Sequence, residues 1–79
     1  MKELIVKISK IRDELRKCYV ELDDLNNLID VEEKDLEKCG VDFYTITRIG
    51  SSYIFALKSL GDAIMHIEDL TSHLEKLNR

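Results

Sequence analysis

The sequence predicts an all-α protein, an antiparallel helical hairpin of two long helices. Three observations lead there. Apolar residues recur at alternating intervals of three and four along nearly the whole chain. Gly40 divides that pattern into two arms of matching length, and no proline interrupts either arm. With 79 residues the chain forms one domain, residues 1–79, near the smallest size at which a core holds a fold unaided. Charged residues make up 35% and hydrophobic ones 44%, too apolar a mixture for a disordered chain and one suited to helices with apolar seams.

The first helix is expected over about residues 2–39. Its seam runs Leu4, Ile8, Ile11, Leu15, Cys18, Leu22, Leu25 and Ile29, a heptad pattern without a miss. Ile5 and Tyr19 widen the stripe beyond a two-strand seam, as bundle packing requires. Asp30 and Glu33 have capping-box spacing, which would start a new helix, but Leu36 and Cys39 resume the phase. A helix running through, kinked near residues 26–30, is the preferred reading.

Gly40 supplies the stop, since glycine just past a helix adopts the left-handed conformation that closes it, with Lys38 suited to the last turn. The turn spans about residues 40–42. Asp42 reads as the next N-cap, and Val41 and Ile46 have hydrophobic-staple spacing. The β-branched and aromatic residues of 41–49 would also suit a strand, but no second strand exists to pair with it, so helix is retained. A connection this short sets the two helices antiparallel.

The second helix is expected over about residues 42–78, with the seam Ile46, Ile49, Tyr53, Ala56, Leu60, Ala63, Ile67, Leu70, Leu74 and Leu77. Gly50-Ser51-Ser52 is a second candidate kink, at residues 50–52, because an interior glycine costs about 1 kcal/mol relative to alanine. The stretch from Ile46 to Ile67 organises the rest. From Tyr53 to Leu57 it is apolar on every side, so one partner helix cannot cover it.

Ile54, Phe55 and Met65 face away from the second seam, and Val20 and Val31 face away from the first. Exposed apolar surface of this kind marks an interface. These five residues are the expected partner-binding set. Two hairpins pairing into a dimeric four-helix bundle would cover them and enlarge a marginal core, making a homodimer the preferred assembly. The alternative is a three-helix bundle monomer with breaks near Asp30 and Gly50.

Charge is segregated. Residues 1–17 carry a balance of +3, residues 18–42 carry −7, and residues 43–79 are neutral, for a net charge of −4. Folding back would set the acidic end of the first helix beside Arg48 and Lys58, a bias on orientation more than a source of stability. The overall sign argues against a nucleic-acid surface. One basic cluster, Lys7, Lys10, Arg12, Arg16 and Lys17, nevertheless supports an alternative function in which a hairpin dimer contacts phosphates. Asp13 and Glu14 interrupt it, and no aromatic residue interleaves before Tyr19.

Catalytic chemistry finds little to build on. Asp62, His66, Asp69 and His73 share one stripe at ligand-like spacing, but the first helix supplies no histidine, so the stripe reads as solvated and no metal or cofactor is assigned. Cys18 reads as a small core hydrophobe and Cys39 as a loop-end residue, neither placed beside an activating histidine. On one helix they would stand roughly 30 Å apart, beyond disulfide reach. No phosphate loop, Cys-x-x-Cys pair or nucleophile elbow occurs, and no run of residues is apolar enough to span a membrane. The expectation is a cytoplasmic, non-enzymatic protein-protein interaction module, a regulator, inhibitor or adaptor. Its likeness to small helical-hairpin dimers concerns shape alone.

Overall fold

The computed structural model describes residues 1–77, and every regular element in them is an α-helix. Helix α1 spans Lys2–Asp23, α2 spans Asn26–Lys38 and α3 spans Phe43–Leu77. Together α1 and α2 make one bent arm that runs antiparallel to α3. The pairing descends along α3 as it climbs the first arm: Arg16 meets Glu68, Tyr19 lies against Gly61, Tyr53 reaches Leu22, and Glu33 covers Gly50. The result is a rod of 61 × 18 × 12 Å with a radius of gyration of 18.0 Å, against about 11.6 Å for a compact domain of this length.

The first arm is broken rather than continuous, and the break falls at Asp24-Leu25, one step before the expected kink at 26–30. Both residues keep right-handed helical dihedrals. The Asp24 N–H still donates to Val20 O at 3.0 Å, but Leu25 N–H donates to Leu22 O at 3.1 Å, a tightened turn that ends the regular ladder. The local cause is electrostatic and conformational. Glu21, Asp23 and Asp24 stand at the negative end of the α1 dipole, and two asparagines of low helix propensity follow.

The turn forms as its residues dictate. Gly40 has φ +84°; its N–H donates to Glu37 O at 3.1 Å and the Val41 N–H donates to Leu36 O at 3.0 Å, the paired bonds of a Schellman motif. Asp42 caps α3: its carboxylate accepts the Thr45 N–H at 3.0 Å and the Thr45 hydroxyl at 2.7 Å. Val41 and Ile46 are both half-buried, as a hydrophobic staple requires. Residues 43–49 are helical, not extended.

No break occurs at residues 50–52. Helix α3 runs unbroken for 35 residues, which removes the Gly50 break that the three-helix alternative needs. Packing overrides propensity here: Gly50 and Ser51 are half-buried, and the Glu33 side chain of α2 lies directly over Gly50. The second helix was expected to reach 78, a position outside the described residues.

The first helix covers half of its predicted seam, and α3 covers most of its own, Ile46 and Ile49 included. On α1 the inner rows are Ile8, Leu15, Leu22 and Ile5, Arg12, Tyr19, all at least half-buried. Leu4, Ile11, Cys18 and Leu25, the other half of the predicted seam, are exposed. On α3 the inner rows are Tyr53, Leu60, Ile67, Leu74 and Leu57, Ile64, Thr71. Ala56, Leu70 and Leu77 are exposed and Ala63 is half-buried. Each helix is rotated by about half a heptad step relative to the predicted seam, because Tyr19 on α1 and Thr71 on α3 are drawn inward. Thr71 is the most buried polar side chain, and its hydroxyl donates to Ile67 O at 2.9 Å within its own helix.

The expected charge pairing does not form. Among the described residues, the ion pair between the arms is Arg16 with Glu68, toward the open end of the hairpin and of opposite polarity to the expectation. Arg48 instead sits over the Tyr44 ring of its own helix, 5.6 Å from the centroid.

Candidate functional site

A chain of 9.2 kDa folded as a compact monomer exposes about 4,900 Å², whereas this one exposes 6276 Å². Among the described residues Tyr53 is the one buried hydrophobic side chain, while fifteen large hydrophobic residues are exposed. The candidate site therefore lies on the apolar surface that two helices cannot hide from water.

The five expected partner-binding residues are all exposed: Val20 58%, Val31 54%, Ile54 62%, Phe55 64% and Met65 55%. They do not converge on one patch. Ile54 and Phe55 are consecutive on α3 and about 100° apart around it, and Met65 stands about three helical turns further along. Val20 and Val31 lie on α1 and α2, on either side of the break.

Ile54 belongs to a larger feature that sequence reasoning did not find. At the turn end, α2 and α3 diverge around an open groove of about 640 Å³. Phe43, Ile46 and Ile54 of α3 form an apolar wall, and Asp30, Glu33, Lys34 and Glu37 of α2, acidic on balance, line the opposite side. The acidic spacing, three and then four residues, was the available signal. What it lacked was the break at Asp24-Leu25, which swings α2 into place beside α3.

The basic cluster is spread around α1 rather than gathered. Lys7 pairs with Glu3 at 3.1 Å and Arg12, itself half-buried toward α3, with the exposed Asp13 at 3.2 Å. Arg16 is committed to Glu68. Lys10 and Lys17 stand on the side turned away from α3, with no ion pair among the described residues.

Asp62, His66, Asp69 and His73 are all exposed along α3, and no group of three or more His, Cys, Asp or Glu among the described residues is arranged to hold a metal ion. Cys18 is exposed, not a core residue, because the inward turn of Tyr19 carries it out of the seam. Cys39 caps the end of α2 and is also exposed and free. Among the described residues no helix is long and apolar enough to cross a membrane.

Two groups are perturbed electrostatically. Burial, with the nearby carboxylates of Asp23 and Asp24, pushes the Tyr53 phenol above its ordinary range. The Thr45 hydroxyl and N–H hold the Asp42 carboxyl below the usual carboxylate range. The Asp42 shift reports the hydrogen bonds of the α3 cap, and the Tyr53 shift reports burial beside the acidic end of α1.

The chain matches no family model, no curated protein and no solved structure.

Proposed function

We propose that this chain is a non-enzymatic protein-interaction module, a helical hairpin that works by presenting apolar helical surface to a protein partner. The observation that carries the reading is the ratio of one buried to fifteen exposed large hydrophobic residues, far from the balance a self-sufficient domain maintains. The turn-end groove with Ile54 and its neighbour Phe55 is the surface assigned to that partner. An apolar wall facing Asp30, Glu33 and Glu37 suits a helical segment with an apolar stripe and basic flanks.

The test is affinity capture from cells that express the chain, with wild type and Phe55→Asp run side by side and proteins and nucleic acids both identified. A stoichiometric second protein, held by wild type and lost from the variant, supports the reading. Recovery of nucleic acid without a second protein, or of the chain alone, overturns it.

A further inference from the structure

We infer that one long face of the hairpin is a self-association surface, covered by a second copy of this chain stacked antiparallel on the first. This face is distinct from the turn-end groove, so the inference goes beyond the proposed partner interaction and does not depend on it.

Helical geometry locates the face. Each step along an α-helix turns about 100°, so Arg12, Arg16 and Tyr19 fall on one side of the Ile8–Leu22 row and the exposed α1 row falls on the other. On α3, Gly61 and Glu68 fall on one side of the Leu60–Ile67 row, and the row from Ala56 to Leu77 falls on the other. Arg16 meets Glu68 and Tyr19 meets Gly61 on the same long face. The two outer rows must therefore share the opposite face, side by side, with Ile11 level with Leu70 and Cys18 level with Ala63. The strip they form is two helices wide and about 32 Å long, and none of its residues is charged.

Area and charge identify the occupant. The strip, about 32 Å long on a rod 18 Å across, offers roughly 600 Å² on each copy, so a pair would bury roughly 1,200 Å², the lower bound of a stable specific interface. Two stackings of the strip on itself are possible. With the hairpins parallel, each α1 lies on the partner's α3, which sets Leu70 against Ile11 and Ala63 against Cys18, large on large and small on small. With them antiparallel, each α1 lies on the partner's α1, and Leu70 meets Ala63, Leu77 meets Ala56 and Ile11 meets Cys18, so that large residues fill the space beside small ones, with Leu4 against Leu25 at the ends of the strip. Charge agrees. Antiparallel stacking lays each basic half of α1 along the acidic half of the partner's α1, bringing Lys7 toward the partner copy's Glu21.

Two readouts test this without relying on one variant. Sedimentation of wild type should show twice the chain mass, with Leu70→Glu reduced to the monomer while helicity persists and Phe55→Asp still a dimer. In wild type, modification of Cys18 by a maleimide should slow several-fold as protein concentration rises, while Cys39, at the far end of the rod, keeps its rate. Lys7→Glu should weaken the dimer, and Lys7→Glu combined with Glu21→Lys should restore it. A monomer at all concentrations, a dimer in which Cys18 reacts as freely as Cys39, or a dimer that survives Leu70→Glu but not Phe55→Asp overturns the proposal.

Discussion

The hydroxyl of Tyr53 donates to the main-chain carbonyl of Leu22 at 2.5 Å, and lies 3.2 Å from that of Asp23. These carbonyls belong to the last turn of α1, where Leu22 O also accepts the Leu25 N–H and offers its second lone pair to the phenol. A side chain from the middle of α3 thus satisfies the break in the first arm, and the same ring is the one hydrophobic side chain buried among the described residues. The kink and the hairpin are one feature.

Removing that hydroxyl alone should loosen the junction. Tyr53→Phe should lower the melting temperature by about 5 °C, the effect of one lost hydrogen bond in a chain of this size. Amide exchange should accelerate at residues 24–29 more than elsewhere. Uniform acceleration along the chain would mean that the hydroxyl is not a local clamp.

The same residue sets an alkaline limit. Its folded-state pKa is raised, by burial first and then by Asp23 and Asp24. Native protein therefore holds the phenolic proton more tightly than unfolded protein does, and the stability gained is fully present below the ordinary tyrosine range near 10 and lost as pH rises through the folded value. Denaturant midpoints of wild type should fall through that window more steeply than those of Tyr53→Phe, and tyrosinate absorbance should resolve one late-titrating ring.

The three glycines should respond differently to alanine. At Gly61 a Cβ would lie 3.5 Å from Tyr19 Cε2, ordinary contact, so Gly61→Ala should add about 1 kcal/mol of stability from helix propensity. At Gly50 it would stand 2.8 Å from Glu33 Oε1, and the carboxylate must swing away, so the gain should be smaller. Gly40→Ala should destabilise, because φ +84° strains any side chain. Chemical denaturation of the three variants gives the order directly.

Rotation of the seam makes a further distinction. In dilute solution Leu60→Ala should cost about 2 kcal/mol as an inner-row truncation, while Leu70→Ala should stay within about 0.5 kcal/mol as a surface change. At high concentration, with the outer row covered, Leu70→Ala should become costly as well. Equal costs in dilute solution would place both residues in the hairpin seam.

The hairpin was legible because each signal was local. Gly40 and Asp42 build their turn and cap from nearest neighbours, and heptad spacing alone specifies long helices. What remained hidden depends on pairing between distant residues. A heptad names the residues that seek cover but not which of two adjacent rows finds it within the chain, so Cys18 and Leu70 were expected inside. A kink near the break was expected from local residues, but the bond that Tyr53 makes to Leu22 O beside it, 31 residues away, was not. Continuity at Gly50 depends on Glu33 packing across it. The turn-end groove needed both, since it opens only where α2 departs from the line of α1.

The measurement that bears most directly on the account is the melting temperature of wild type across about a hundredfold range of concentration. A hairpin whose apolar face is completed by a second copy unfolds at a temperature that climbs with concentration, by mass action. Wild type should show that climb, and Leu70→Glu should lose it. A melting temperature that stays constant over the whole range would contradict it, and the lone hairpin would then be the finished fold.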